Sequence, residues 1–284
     1  MSSFFSDMWR ILRNEKGALA GGIIIFIYCV VAVIGPTVAH ISSTQNPANA
    51  YLGASWVHPL GTDALGQDVL AEIVIGTRPV IEVGFLTALM TVAAGVVIGL
   101  VSGYLGGFAD NVIMRVTDIA LTIPGLPLII VIATLIRTTN PLVLAVVLSV
   151  TGWAGLARAV RSQALSLRTT DFIEAARLQG MSLGNMVGRQ LLPNVGPYVA
   201  INFVLSVTGA IYAEVGLFVL GIVPMSGVNW GEMINQALSQ GALYTNQAML
   251  YLFSPMAAIV ILQVAFVFFS RALDSLFNPA LRVQ

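Results

Sequence analysis

The chain has 284 residues, of which 57% are hydrophobic and only 9% are charged, with 13 basic and 13 acidic side chains and no net charge. Soluble domains carry about 25% charged residues, and so few charges would leave large apolar patches on a soluble chain of this size. The composition therefore excludes a soluble enzyme, and the lack of a basic stripe argues against nucleic-acid binding. Long continuous apolar runs, instead of alternating segments of about 10 residues, argue against an outer-membrane barrel. The sequence predicts an all-α integral membrane protein in a lipid bilayer.

Six apolar runs are long enough to cross a bilayer, which takes about 20 helical residues. In chain order they cover 17–39, about 80–104, about 112–136, about 142–159, about 195–222 and about 249–273. Arg10, Arg13 and Lys16 precede the first run, as they would in a signal peptide. This run is longer than the apolar core of about 7–15 residues in such peptides, and no clear small-residue cleavage site follows. We therefore expect a retained first helix and six transmembrane helices.

The basic residues predict how these six helices are oriented. With the N-terminus in the cytoplasm, only Arg78 and Arg137 lie outside. Eleven basic residues then lie inside: Arg10, Arg13, Lys16, Arg115, Arg158, Arg161, Arg168, Arg177, Arg189, Arg271 and Arg282. This bias follows the positive-inside rule and predicts that both termini are cytoplasmic. Residues of about 41–77 and 223–248 then form outer segments, and about 161–194 form the longest inner connection.

Glycine and proline predict two local features of the spans. Gly95, Gly99 and Gly103 recur at every fourth residue of the second run, so they lie on one helix face and permit close backbone approach of a neighbour. Pro124 and Pro127 lie within the third run and should kink or open it.

The inner connection contains a short amphipathic segment followed by residues that typically end and begin helices. Its defining residues are Glu174, Ala175, Ala176, Arg177 and Gly180. Phe172, Ala175, Ala176 and Leu178 are expected on its apolar side. Gly180 ends the helix as a C-cap glycine does, Ser182 is a suitable N-cap for a second helix, and Pro193 opens the fifth span. From the residues alone, the segment either lies in the headgroup layer as an amphipathic loop or docks on another protein.

This spacing, Glu-Ala-Ala-x3-Gly followed by Leu-Pro, resembles the EAA loop of ABC importer permeases. In that family the loop forms a coupling helix that docks in a cleft of a cytoplasmic ATPase. The resemblance therefore implies an ATPase-coupling role for Glu174, Ala175, Ala176, Arg177, Gly180 and Pro193. One departure is Gln190, which stands three residues before Pro193 where the family has an aliphatic residue; Leu191 follows it and is apolar.

Other segments resemble the dipeptide/oligopeptide/nickel branch of this family, specifically its C-type permease. They are His58-Pro-Leu-Gly-Thr-Asp63-x-Leu-Gly66-x-Asp68, Met114-Arg115-x-x-Asp118 with Pro124, Trp230-Gly-x-Met233, and the ending Phe277-Asn278-Pro279-x-Leu-Arg282. Asn278 replaces an Asp of the branch, Pro224 is the only proline shortly before the Trp-Gly, and Val215-Gly216-Leu217 replaces small polar residues.

The resemblance implies a type I importer permease. Residues 1–79 would comprise the N-terminal cytoplasmic segment, the first transmembrane helix and an outer segment. Residues 80–284 would form the permease core of five transmembrane helices, with the coupling loop at about 165–193. The implied partners are a second homologous permease, two ATP-binding cassette subunits that bind ATP and Mg, and an extracellular substrate-binding protein. The implied location is the plasma (inner) membrane of a prokaryote.

Several charged residues are candidates for the pathway or gate. Glu214 lies inside the fifth run, where a charge costs at least about 2.5–3.5 kcal/mol; it lines the pathway or forms an interhelical packing contact, and the residues leave both open. Arg115 and Asp118, at i and i+3, form a local ion pair or belong to an inner gate. The acidic outer segment, with Asp63, Asp68 and Glu72, is either a solvated face or a docking surface for the binding protein.

The sequence has no phosphate-binding Gly-x4-Gly-Lys-Ser/Thr loop, so the chain is not the ATPase. Cys29 stands alone, and His40 and His58 have no partners at ligand spacing, so we expect neither a metal site nor a cofactor in this chain. The predicted function is a non-catalytic permease subunit that forms half of a pathway for short peptides, or else for oligosaccharides or nickel. The alternatives are a stand-alone secondary transporter or channel and a membrane scaffold.

Overall fold

A computed structural model describes residues 16–41, 46–225, 227–244 and 248–277. These residues form helices joined by turns, with one isolated bridge between Thr62 and Asp68. In chain order the helices are α1 Lys16–Val38, α2 Val69–Leu105, α3 Gly107–Thr122, α4 Gly125–Ile136, α5 Pro141–Leu167, α6 Asp171–Leu178, α7 Leu183–Val219, α8 Trp230–Ser239 and α9 Met249–Phe277. Within α7, Met186–Leu191 is a π-helical turn.

Five of these helices, α1, α2, α5, α7 and α9, are each long and apolar enough to cross a membrane. The pair α3 and α4 passes the same test together, as one span bent by 81°. The described residues thus hold five spans, or six when the bent pair counts as one, in agreement with the six apolar runs. Arg10, Arg13, Arg282 and the ending at 278–282 lie outside the described residues.

Helix α2 begins at Val69, earlier than the apolar run that starts at about residue 80, so the predicted outer segment of about 41–77 includes the first turns of this helix. Asp68 caps this helix: its Oδ1 accepts hydrogen bonds from the backbone N–H groups of Leu70 (2.8 Å) and Ala71 (3.2 Å). A side-chain acceptor at this position satisfies N–H groups that would otherwise lack partners. The helix start is therefore set by the cap.

The break between α3 and α4 occurs where the prolines predict it. Ile123 and Pro124 are both extended, with ψ of 125° and 117°. A proline disfavours the helical conformation of the residue before it, so α3 ends at Thr122. Pro127 lies in the first turn of α4, where its missing N–H costs no intrahelical bond.

The core is built on α2, which packs closely against α5. A Cβ built at Gly99 would lie 2.5 Å from the carbonyl oxygen of Ala157, and one at Gly103 would lie 2.7 Å from the Cβ of Ala164. A Cβ at Gly95 would lie 3.0 Å from Leu156. All three contacts are made by α5, which confirms the predicted glycine face.

Helix α8 is a short element that the hydropathy does not reveal, and it folds back against α2 and α7. The indole N–H of Trp230 donates to the carbonyl of Ile73 in α2 (3.0 Å), and Asn235 Nδ2 donates to the carbonyl of Val219 at the end of α7 (2.7 Å). A Cβ at Gly231 would lie 2.8 Å from the carbonyl of Val215, so the helices touch backbone to backbone. The Trp-Gly pair therefore locks α8 onto the bundle.

Candidate functional site

Helix α6 is a two-turn helix that ends in a Schellman cap. Gly180 has a φ of +71° and donates its N–H to the carbonyl of Arg177 (3.0 Å), while the N–H of Met181 donates to the carbonyl of Ala176 (3.2 Å). This pair of bonds satisfies the last carbonyl groups of the helix, and the left-handed residue between them favours glycine. Gly180 thus ends α6 as predicted and fixes a sharp turn into α7.

The faces of α6 differ from the prediction. Ile173 and Ala176 are buried in a cluster formed with α2, α5 and α7, whereas Phe172, Ala175 and Leu178 are exposed. The expected apolar side is therefore wrong: only Ala176 of that set points into the bundle. The sequence did not predict burial of Ile173, because apolar residues lie on two sides of this short helix and their spacing does not show which side is buried. Leu178 is 85% exposed, so this helix presents an apolar outer surface.

The charged residues of α6 lie on its exposed sides. Glu174 and Arg177 are both exposed. The guanidinium of Arg177 lies over the ring of Tyr104, near the end of α2, 5.6 Å from the ring centroid. This cation–π contact ties the exposed side of α6 to the end of α2.

The start of α7 follows directly after the turn that ends α6. Ser182 occupies the N-cap position, but its side chain makes no capping hydrogen bond. Met186 and Leu191, at the two ends of the π-helical turn, are fully buried, while Pro193 is exposed. Leu191 thus provides the apolar contact that Gln190 does not, and α7 runs through Pro193 without a break.

The predicted Arg115–Asp118 ion pair is not formed. Asp118 instead accepts a hydrogen bond from Arg158 on α5 (2.5 Å), and both side chains are about half exposed. Arg115 is exposed, and no ion pair is found for it within the described part of the chain. A spacing of i and i+3 permits a local ion pair but does not require it. Here the facing helix α5 places Arg158 within hydrogen-bond distance of Asp118.

A second, buried ion pair joins the same two helices and escaped the sequence reasoning. The carboxylate of Asp110 on α3 accepts hydrogen bonds from Arg161 Nε and Nη2 on α5, both at 2.6 Å. The hydroxyl of Ser102 on α2 donates to the same carboxylate. This triad joins three helices, and only their crossing brings together residues so far apart in sequence.

At the opposite end of the bundle, Glu214 is almost fully buried, with 1% of its surface exposed. Its Oε1 accepts a hydrogen bond from Asn229 Nδ2 (2.8 Å), whereas its Oε2 has no hydrogen-bond partner among the residues that the structure describes. The side chain borders a cavity of about 360 Å³ between α2, α5, α7 and α8. Asn229, Glu232 and Arg78 contribute the other charged or amide groups of the lining. The hydrogen bond to Asn229 agrees with the packing interpretation of Glu214, while its role in lining the pathway stays a prediction.

The acidic residues before and at the start of α2 do not form a solvated face, which was one of the two interpretations that the sequence left open. Asp63 and Glu72 are buried, and Asp68 is about three-quarters buried. Asp63 Oδ1 accepts hydrogen bonds from the backbone N–H groups of Leu65 (2.9 Å) and Gln67 (2.6 Å), so it organises the turn before α2. Burial raises the pKa of the Asp63 carboxyl, and these backbone donors oppose that shift.

Glu232, in the first turn of α8, is another buried acid at this end. Burial raises its pKa to about 7, partly offset by a hydrogen bond from Gln236 Nε2 (3.2 Å). Glu72 is close enough to interact with it electrostatically. Across the described ranges, no group of three or more His, Cys, Asp or Glu side chains is placed to hold a metal ion.

Several known proteins are similar to this chain. The dipeptide transport system permease protein DppC of Bacillus subtilis (strain 168) is 35% identical over 240 residues, which cover 83% of this chain and 74% of that protein. The oligopeptide transport system permease protein OppC of the same organism is 29% identical over 282 residues, covering 99% of this chain and 91% of that protein. A putative peptide permease protein of Brucella suis biovar 1 (strain 1330) is 34% identical over 226 residues, covering 79% and 74%.

Two family profiles also match. One, described as a binding-protein-dependent transport system inner membrane component, matches residues 95–283. The other, the N-terminal TM domain of oligopeptide transport permease C, matches residues 3–54. Together with the apolar helices, these matches define a multi-pass inner-membrane protein, a non-catalytic permease subunit of a transport system. The chain belongs to the family of binding-protein-dependent transport system inner membrane components, on the dipeptide/oligopeptide ABC permease branch that its motifs indicate.

Proposed function

We propose that this permease subunit imports short peptides in an ATP-driven complex. The observation that carries the proposal is the chain's similarity to dipeptide and oligopeptide permeases over most of its length. The complex would contain a second homologous permease, two ATP-binding cassette subunits that bind the ATP and Mg, and an extracellular binding protein. Residues 80–284 would form the permease core, and residues 1–79 the preceding helix and outer segment.

In this proposal the end of the bundle that carries α6 faces the cytoplasm, and both termini lie there as well. The described basic residues support that orientation, because Arg158, Arg161, Arg168 and Arg177 lie on α5, α6 and the turn between them. Only Arg78 and Arg137 lie at the opposite end, which would then be outside. This distribution follows the positive-inside rule.

Helix α6 would be the element that couples ATP hydrolysis to transport. Its buried side, with Ile173 and Ala176, packs into the bundle, so a force on the helix reaches α2 and α5 through close-packed contacts. Its exposed side offers Phe172, Ala175 and Leu178 to a partner. ATP-driven closure of the ATPase subunits would then move α6 as a rigid lever and tilt the spans.

Two regions of this chain would border the pathway. The bend between α3 and α4 opens one span near Pro124, as broken helices do beside transport pathways. Glu214 would line the outer part of the path, while Arg115 and Asp118 would lie near its inner gate. Since Asp118 pairs with Arg158, the inner gate would include α5.

Replacement of Leu178 tests the coupling role. Leu178→Asp places a charge on the exposed side of α6 without disturbing the buried Ile173 and Ala176. We expect the variant complex to lose ATPase docking and ATP-driven uptake of labelled trialanine at least tenfold in proteoliposomes. A matched control is Leu220→Asp, which alters another exposed leucine. It directly follows the end of α7 that is far from α6. Normal uptake with Leu178→Asp would refute the docking role of α6.

Gly180→Pro tests the turn that positions this helix. Proline fixes φ near −65°, whereas Gly180 has a φ of +71°. The variant should either assemble poorly with the ATPase subunits or hydrolyse ATP without uptake. Gly184→Ala is the control, because a Cβ there meets nothing within 4 Å.

The same vesicles decide between cargoes and mechanisms. Uptake of an oligosaccharide or of nickel, but not of trialanine, would replace the peptide assignment. Uptake without any ATPase subunit would favour a stand-alone secondary transporter or channel instead of an ABC importer.

A further inference from the structure

We propose that the cavity beside Glu214 binds the α-ammonium group of the transported peptide. This inference rests on the proposed peptide import and adds a recognition site within the permease itself. The hydrogen-bond acceptor is the free Oε2 of Glu214, and Glu232 provides a second carboxyl group in the same cavity.

The free oxygen of Glu214 is the first reason. A buried acceptor without a donor is destabilising, and more so when it is charged. Oε2 of Glu214 is such an acceptor, although Asn229 donates a hydrogen bond to the other oxygen, Oε1. Asn229 Oδ1 in turn accepts the N–H of Gly231 at the start of α8 (2.8 Å), so the carboxyl group is fixed by a helix cap. The arrangement fixes one unpartnered acceptor in the wall of the cavity.

The carboxyl groups around the cavity favour a cationic hydrogen-bond donor. Glu214 and Glu232 both border the cavity, and Glu72, in the first turn of α2, is close enough to Glu232 for the two carboxyl groups to interact. The one basic side chain among the lining residues is Arg78. It is largely exposed and pairs loosely with Glu82, at 3.9 Å. Arg78 therefore lies at the mouth, where its charge suits a carbonyl or carboxylate of the same ligand.

The remaining walls select an organic cation over a metal ion. Most of the lining is apolar, including Ile75, Val83, Leu144 and Phe218. Calcium and magnesium take six or more oxygen ligands, which these walls do not supply. A primary ammonium group has three donors on a compact head, and an apolar side chain next to it would contact the walls. The volume of about 360 Å³ falls at the small end of ligand sites, which span about 300–1,000 Å³.

The test compares trialanine with N-acetyl-trialanine, which has the same backbone but no charged amino end. Binding of each peptide is measured on the intact permease–ATPase complex in lipid nanodiscs, without the binding protein. The wild-type complex should bind trialanine at least tenfold more tightly. Glu214→Gln keeps an acceptor for Asn229 but replaces the second carboxyl oxygen with an amide group that donates hydrogen bonds, and it should reduce that preference to about twofold or less. Glu232→Gln is a second variant that should act in the same direction.

Glu82→Gln is the matched control, since it removes a carboxylate from the same end of α2 without lining the cavity. It should leave the preference unchanged. Equal wild-type binding of the two peptides, or a preference that survives in both cavity variants, would overturn the site. ATP-driven trialanine uptake with no such preference would refute this site alone, whereas absence of any ATP-driven peptide uptake would refute the proposed function.

Discussion

The two ion pairs between α3 and α5 provide a quantitative test of how burial decides the value of a charge pair. In one pair, Asp110 has a side chain 6% exposed and Arg161 one 28% exposed. In the other, Asp118 and Arg158 are 56% and 55% exposed. Both join the same helices, but they differ in their contact with solvent and in the number of hydrogen bonds that the carboxylate accepts.

Arg161→Ala should destabilise the bundle by about 1.5–3 kcal/mol, the range for hydrogen bonds to a charged group, because among the described residues it leaves the Asp110 carboxylate with Ser102 as its remaining side-chain donor. Arg158→Ala should cost about 0–1 kcal/mol, as exposed pairs do. A difference of only about 2 kcal/mol between the variants is already a factor of roughly 30 in the unfolding equilibrium.

The assay is denaturant unfolding of the purified chain in mixed micelles, followed by tryptophan fluorescence and far-ultraviolet circular dichroism. A double-mutant cycle at each pair, with Asp110→Ala and Asp118→Ala as the second replacements, separates the pairwise energy from other losses. Similar coupling energies in the two cycles, or a loss below about 1 kcal/mol for Arg161→Ala, would show that the buried pair is not anchored as its geometry indicates.

Two further predictions concern packing and pH. Gly99→Ala should lower the free energy of unfolding by about 1–3 kcal/mol, because its Cβ would lie 2.5 Å from the α5 backbone. Gly155→Ala is the control: its Cβ meets nothing within 4 Å, so this variant should be neutral or stabilising. Equal unfolding midpoints for the two variants would contradict this prediction. Glu232 keeps its proton up to about pH 7 in the folded state, above its ordinary value of 4.5. Stability should therefore fall from pH 4.5 to 7, by at most about 3 kcal/mol, and then level off. Thermal melts at pH 5 and 7.5 should show this slope in the wild type and less of it in Glu232→Gln; parallel slopes would count against it.

The features that depend on local chemistry could be read from the sequence. Six apolar runs matched the spans because the length of a helix across a bilayer is fixed by its thickness. Gly180 predicted the end of α6, and Pro124 predicted the break after α3, because each restricts its own backbone. Gly99 predicted a close helix contact, although the sequence did not say with which helix. The motif also marked α6 as a docking element, which remains a proposal.

The features that depend on which helices meet were decided only by the tertiary structure. Asp118 pairs with Arg158 instead of the sequence neighbour Arg115, because α5 crosses α3 within reach. Asp63 is buried because the turn before α2 closes around its carboxylate, which accepts backbone N–H groups of Leu65 and Gln67. The cavity at Glu214 exists because α8 folds back from the end of α7 and closes over a space between the spans. Hydropathy records each residue's own preference for water, whereas partners, burial of charge and cavities arise from distances between segments far apart in the chain.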